Sequence, residues 1–220
     1  MGLFNESDRL RSRRGRTETL PRLRLSNPAY AEDSRSGKPE AVLKVASFPR
    51  GSRVRSVIEY STRAEQKDDL EFETEGGEIK RGRADIKELY ENWRQDFERK
   101  KSGAKREPRH ATHIILSAKA PNDAETAYKV NTAARDFLQK EFGVQGYEYV
   151  FVTAAHRDYD NPHVHVVLKN YNRELDTKLR LDKHDLLELR RSFAAELRRQ
   201  GLEHVATRAM DRPVASVTRS

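Results

Sequence analysis

The chain has 220 residues, of which 35% are hydrophobic, so it can bury the core of one domain and still carry polar segments outside that core. Its formal net charge of +8 favours a polyanionic partner, and the absence of cysteine excludes disulfides and thiolate metal sites. No apolar run approaches the roughly 18 residues of a membrane span, and no signal-peptide core follows Met1, so we expect a cytoplasmic protein.

Residues 1–40 form a predicted basic, disordered arm. They contain many arginines, few apolar residues and no sustained period. An arm of this kind contacts nucleic-acid phosphates or is simply a tail, and composition does not separate the two. A folded domain is predicted over residues 41–213, and residues 214–220 form a short tail that is a candidate truncation point.

The folded region contains both strand-like and helix-like patterns. Strands are predicted at 41–48, 113–116, 147–156 and 163–169, with a fifth at 175–181. Helices are predicted directly after Ser52 and at about 85–101, 122–142 and 182–201, and the charged residues 65–83 indicate a loop or an irregular hairpin. Hairpin-linked strands together with helices indicate an α+β domain, in which an antiparallel sheet of about five strands packs against helices on one face.

Three histidines fall where one hairpin brings them together. His163 and His165 are two apart in an apolar, β-branched run, and residues i and i+2 of a strand point to the same face. His156 ends the preceding apolar run, and the turn 158–162 folds the chain back beside it. Three neutral imidazoles on adjacent strands favour a divalent-metal site with open coordination positions, which is typical of catalytic sites. Mn²⁺ or Mg²⁺ is the ion we expect, and Zn²⁺, Ni²⁺ and Co²⁺ also suit imidazole ligands.

Asp158 and Asp160 lie in the turn between these histidines. Each could accept a hydrogen bond from an imidazole N–H and so fix its tautomer, or help to deprotonate a nucleophile. The alternative is a turn-capping role, which is common for aspartates in Asp-Asn-Pro segments. We favour the role beside the ligands for Asp158, whereas the two interpretations are equal for Asp160.

A metal site alone does not define a reaction, and the eight tyrosines supply candidate nucleophiles. Tyr90 is expected in the core, and Tyr147 and Tyr149 flank a strand. Tyr60 comes just after the first strand, which in a five-stranded sheet can lie beside the histidine hairpin. Before any resemblance is considered, the favoured alternative is that Tyr60 is a core or helix-surface residue. Four arginines around it are candidate phosphate contacts or an ordinary solvated face, namely Arg50, Arg53, Arg55 and Arg63.

The block from His156 to Val167, H-x-D-x-D-N-P-H-x-H-V-V, resembles the third motif of conjugative relaxases of the HUH endonuclease superfamily. Within that superfamily it is most similar to the P-type mobilisation family, which includes the T-DNA border endonuclease. Residues 57–63 resemble the motif that carries the nucleophilic tyrosine, 112–117 the second-strand motif, and 206–209 the segment after the last helix. The resemblance covers roughly residues 41–213.

This resemblance implies a central antiparallel sheet flanked by helices, an ion held by His156, His163 and His165, and attack of Tyr60 on DNA. Asp158 takes the usual polar position of the motif. The implied substrate is single-stranded DNA at a plasmid origin of transfer, and the implied partners are accessory relaxosome proteins and a type IV secretion coupling protein, with transfer alongside the strand into a recipient cell. Two alternatives stay open: a replication initiator or transposase with the same chemistry, and a non-catalytic DNA-binding module with a structural metal.

Overall fold

The computed structural model describes residues 37–62, 71–98, 102–154 and 161–207. The strands in these ranges are β1 (Ala41–Ser47), β2 (Glu71–Thr74), β3 (Ile79–Arg81), β4 (Ala111–Ala118), β5 (Tyr149–Ala154), β6 (His163–Lys169), β7 (Tyr171–Asn172) and β8 (Thr177–Lys178). The helices are α1 (Arg53–Thr62), α2 (Gly82–Arg94), α3 (Ala124–Glu141) and α4 (Lys183–Arg199). Most of the predicted basic arm and all of the predicted C-terminal tail lie outside the described residues.

Six strands form one antiparallel sheet in the order β1-β4-β6-β5-β2-β3, and β7 pairs with β8 in a separate ribbon. The predicted α+β class with a central antiparallel sheet is therefore confirmed. The sheet has six strands rather than about five because residues 71–81 form the hairpin β2-β3 at its edge. The predicted strand at 175–181 contributes only the two-residue β8, which lies outside this sheet.

Helices cover both faces of the sheet, not one. Alternate residues of β6 show this arrangement, since Val164, Val166 and Leu168 belong to a large core with α3 and α4, whereas Val167 belongs to a second core with α1 and α2. Every residue of β6 is buried, as expected of a central strand with helices on both sides. The prediction of one covered face is wrong, and the family resemblance implies the correct arrangement.

Local capping signals explain where two of the helices begin. The Asp123 carboxylate accepts a hydrogen bond from the backbone N–H of Thr126 at 2.7 Å, and Asp182 forms a capping box with Asp185 at the start of α4. The α2 helix is shorter than predicted and ends at Arg94 instead of near residue 101. Among the described helices, none combines the length and the apolar composition needed to cross a lipid bilayer.

A histidine just before β4 fixes the start of α1. Gly51, in the turn before the helix, donates its N–H to Nδ1 of His110 at 2.8 Å. Because Nδ1 accepts this bond, the ring proton lies on Nε2, which donates to the carbonyl of Glu98 at 3.1 Å. The His110 ring also stacks on Phe97 with 4.2 Å between centroids, and burial lowers its pKa, which preserves the neutral ring. His110 thus ties α1 to the segment after α2.

Candidate functional site

The α1/α2 face of the sheet brings Tyr60 beside the two described histidines of the hairpin. β5 and β6 pair in register from Ala154 opposite His163 onward, so the predicted hairpin is confirmed. The ring centroids of His163 and His165 are 5.2 Å apart. The Tyr60 ring stands edge-on to His165, at 90° and 6.1 Å between centroids. The His165 ring therefore lies near both the Tyr60 phenol and the His163 imidazole.

Tyr60 is the exposed residue of an anchored helix. Its side chain is 64% exposed, whereas Val54 and Ile58 of the same helix are fully buried in the second core. β4 lies between β1 and β6, so the first strand does not lie beside the hairpin as the sequence suggests. Tyr60 instead reaches His165 from α1, above the sheet. Tyr147 and Tyr149, at the start of the hairpin, are buried, and burial raises the pKa of both. Neither is therefore a candidate nucleophile.

Both described histidines form hydrogen bonds through Nδ1. His163 Nδ1 lies 3.2 Å from the carbonyl oxygen of Asn161, and because a carbonyl only accepts, Nδ1 carries the proton. His165 Nδ1 lies 2.9 Å from Nε2 of His113. An ion on Nε2 of His165 requires that Nδ1 donate this bond and that His113 accept it. In that arrangement Nε2 is the nitrogen of each ring that would bind an ion.

His113 is a supporting residue that sequence patterns do not reveal. It is 5% exposed and stacks on His165 with 5.2 Å between centroids. Burial lowers the pKa of His113 to about 4, so the ring is neutral at pH 7 and can accept at Nε2. In the strand register Ile115 lies opposite His165, which makes His113 its diagonal neighbour on the same face. The contact between His113 and His165 follows only from the pairing of β4 with β6. The sequence shows no more than that residues 112–117 resemble the second-strand motif.

The two described histidines, His163 and His165, are suitable ligands for a divalent metal. Two imidazoles whose Nδ1 atoms have hydrogen-bond partners are typical ligands of Mn²⁺ and Zn²⁺. Within the described ranges, no group of three histidine or acidic side chains surrounds one point. The third predicted ligand, His156, lies outside the described residues, as do Asp158 and Asp160, so their roles stay predictions.

Three of the four predicted phosphate contacts are described, and they lie in the first turn of α1 or just before it. Arg55 pairs with Glu59 at 2.7 Å, and Arg50 donates to the carbonyl oxygen of Glu107 at 2.8 Å. Arg53 is exposed and lines a cleft with Phe48 and Arg106. At about 1.5 Å per helical residue, Arg53 is about 10 Å from Tyr60 along the helix axis. The fourth predicted contact, Arg63, lies outside the described residues.

Comparison with known families gives one match over most of this domain. A sequence model of the nuclease domain of MobA/VirD2-like relaxases matches residues 63–202. The matched range contains the whole histidine motif and every element from β2 to α4. It begins shortly after Tyr60, so the match itself does not include the candidate nucleophile.

Three curated proteins align with a shorter stretch. The T-DNA border endonuclease VirD2 of Rhizobium radiobacter is 36% identical over 89 residues, which is 38% of this chain and 20% of that protein. The VirD2 protein of Rhizobium rhizogenes is 34% identical over 88 residues, 38% of this chain and 20% of that protein. The one from Agrobacterium fabrum is 35% identical over 88 residues, 38% and 19% respectively. The alignments thus span about a fifth of the length of these relatives.

Proposed function

Because the chain belongs to the family of MobA/VirD2-like relaxase nuclease domains, we propose that it nicks one DNA strand at a plasmid origin of transfer, with Tyr60 as the nucleophile. The observation that carries the proposal is the position of Tyr60, exposed and 6.1 Å from the His165 ring. An exposed phenol beside an imidazole pair suits attack on a bound phosphodiester. The name of the relatives, T-DNA border endonuclease, supports a DNA substrate cut at a defined position.

The proposed reaction is a transesterification. The Tyr60 oxygen loses its proton and bonds to phosphorus, the bond from phosphorus to the 3′ oxygen breaks, and that oxygen takes up a proton. The products are a 5′-phosphotyrosine and a free 3′-OH. Because a diester replaces a diester, the strand can later be rejoined without ATP. Phenols are mostly neutral at pH 7, so a base must remove the proton, and Asp158 is our candidate for that role.

His156, His163 and His165 would hold a divalent ion, with Mn²⁺ or Mg²⁺ preferred over Zn²⁺, Ni²⁺ or Co²⁺. When bound, such an ion supplies positive charge that polarises the scissile phosphate. The chain's own contribution is to orient the imidazoles, through the carbonyl of Asn161 on His163 and through His113 on His165. Because these bonds use Nδ1, Nε2 is the nitrogen of each ring that would bind the ion.

The test is formation of a covalent protein–DNA adduct. The chain is incubated with Mn²⁺ or Mg²⁺ and labelled single-stranded oligonucleotides that tile candidate transfer origins, and adducts that survive SDS are mapped to a peptide. We expect the adduct on Tyr60 and its loss in Tyr60→Phe. Tyr128→Phe is the matched control, because Tyr128 is 70% exposed but lies on α3, on the opposite face of the sheet. His163→Ala should lose ion-dependent cleavage and keep oligonucleotide binding.

Two outcomes would overturn the proposal. Cleavage by Tyr60→Phe that leaves a free 5′-phosphate would show a metal-dependent hydrolase instead of a transesterase. Binding of every oligonucleotide without any adduct, in the presence of each metal, would show a DNA-binding module.

Accessory relaxosome proteins and a type IV secretion coupling protein are the partners we propose from the same family membership.

A further inference from the structure

On the side of the sheet that carries the histidines, alternate side chains of β1 are exposed. Val42 is 41% exposed and Lys44 is also exposed, whereas Ala41 and Leu43, which alternate with them, pack into the α3/α4 core. The second core, beneath α1 and α2, takes side chains from β2, β4, β5 and β6, and among the described residues it includes none from β1. As far as the described residues go, the outer part of this sheet face is therefore open beside the candidate site.

Strand register aligns the open face with the two histidines. Lys44 pairs with Ile115, which pairs with His165, so these three residues form one row across three strands. Val42, Ser117 and His163 form the next row. Residues that pair across an antiparallel sheet point to the same face, and neighbouring strands are about 4.8 Å apart. The backbone of Lys44 is thus about 10 Å from that of His165, and the two side chains stand on the same face of the sheet.

Lys44 is a cation without a described counter-charge. No carboxylate among the described residues lies within ion-pairing distance of its ammonium group, unlike the case of Arg55 and Glu59. The next cation along the strip is Lys119, just after β4, which lines a cleft with Val42, Ser117 and Asn161. The same cleft contains Glu40 and Lys38, but Glu40 binds Thr207 and Lys38 pairs with Glu203 at 2.6 Å.

We propose that the open strip, defined as Val42, Lys44, Ile115, Ser117 and Lys119, binds the DNA strand next to the scissile phosphate. Lys44 and Lys119 contact backbone phosphates, and the apolar side chains between them lie against the bases or sugars. A single strand is the occupant because cationic groups that alternate with apolar surface match a flexible polyanion with exposed bases. The inference rests on the proposed function, since it assigns the substrate path of the same site.

The first test measures how salt weakens binding of a fluorescent single-stranded oligonucleotide of about 16 nucleotides, the upper range for one small binding fold. Tyr60→Phe serves as the parent in every case, so that no chemistry occurs. Each lost phosphate contact should lower the slope of log affinity against log salt by about 0.7, so Lys44→Ala should lower it by that amount and Lys44→Ala/Lys119→Ala by about 1.4. Lys44→Arg should retain the slope. Lys87→Ala, an exposed lysine on α2, is the matched control and should also retain it.

The second test uses the absence of cysteine in the chain. Lys44→Cys and Lys87→Cys each provide one thiol for a maleimide, and the oligonucleotide should slow labelling at position 44 and leave labelling at position 87 unchanged. Equal slopes for Lys44→Ala and Lys87→Ala, or equal labelling with and without DNA at position 44, would overturn the strip. Failure of the adduct assay with a lowered Lys44→Ala slope would reject the nicking reaction and keep the strip as a DNA path. An adduct together with an unchanged Lys44→Ala slope would support the nicking reaction and reject the strip as the DNA path.

Discussion

Lys169, at the end of β6 away from His163, is a buried cation between two carboxylates. Its side chain is 0% exposed, and Nζ lies 2.6 Å from Asp96 and 2.5 Å from Glu148. Asp96 has a second cation in Arg173, at 2.5 Å. Burial raises the pKa of Glu75, and repulsion from Glu148 adds to the increase, whereas Lys169 opposes it. Removing the ammonium group therefore leaves Glu148 and Glu75 as neighbouring carboxylates without their shared counter-ion.

Lys169→Met keeps the length of the aliphatic stem and removes the charge. Breaking a buried ion pair from one side costs about 3–5 kcal/mol, because the remaining charge stays desolvated. For a chain of this size each kcal/mol lowers the melting temperature by about 2–4 °C, so the expected decrease is roughly 6–20 °C. Lys129→Met is the matched control: Lys129 pairs with Glu125 on the surface of α3, and loss of that pair should cost less than about 1 kcal/mol.

The pH dependence of the stability lost in Lys169→Met shows whether the unpaired carboxylates cause that loss. In the variant the unpaired carboxyls are easier to protonate in the folded than in the unfolded chain, so their folded pKa is the higher one. Protonation then favours folding, and the stability deficit relative to the parent should shrink as pH falls from 7 to 5. Urea unfolding followed by circular dichroism at both pH values measures it. A deficit no larger than that of Lys129→Met, or one that is equal at both pH values, would refute the reasoning.

Four further outcomes follow from the structure. Gly51 has a φ of +50°, in the left-handed region, so Gly51→Ala should lose about 1–2 kcal/mol in urea unfolding. Gly103→Ala, with a φ of +78°, should lose a similar amount, because the Glu107 carboxylate that a Cβ at Gly51 would meet at 2.8 Å is the flexible end of a side chain. Ser61 has a buried hydroxyl with no partner among the described residues, so calorimetry should show Ser61→Ala to be neutral or stabilising. Burial lowers the pKa of His113 to about 4, so as the pH falls the unfolded chain takes up a proton at this residue before the folded chain does. The free energy of unfolding of the metal-free protein should therefore fall by up to about 3 kcal/mol between pH 6.5 and pH 4. In His113→Phe this dependence on pH should be weaker. His113→Phe should also weaken Mn²⁺ binding about 10–100-fold in calorimetry, whereas His113→Gln, which keeps an acceptor for His165, should stay close to the parent; equal losses would remove the acceptor role.

Local periodicity is sufficient to predict the histidine pair. The alternation of β6 places His163 and His165 on one face whatever the rest of the chain does, and the turn before it makes the hairpin with β5 the simplest pairing. The two capped helices are predictable for the same reason, because Asp123 and Asp182 act within four residues of their own position.

The remaining features depend on contacts distant in sequence. The segment Glu71–Thr74 contains a single apolar residue, Phe72, and becomes a strand because it pairs with β5 and because Arg135 on α3 binds Glu73 at 2.6 Å. Leu175 to Leu181 shows strand-like alternation, but Asp176 takes a positive φ of +47° in a turn, and Leu179 packs into the α3/α4 core. Neither outcome is visible in a short window of sequence.

One strand links the candidate nucleophile to the candidate metal ligands, and this explains how an exposed tyrosine can be held in place. His110, directly before β4, fixes Gly51 and so the start of the helix that carries Tyr60. His113, three residues later on the same strand, bonds the ring of His165. The packing of Ile58 against the sheet transmits this anchorage along α1, while Tyr60 keeps its own surface for a substrate. The position of Tyr60 and the orientation of the His165 ring therefore both depend on β4 and the residue directly before it.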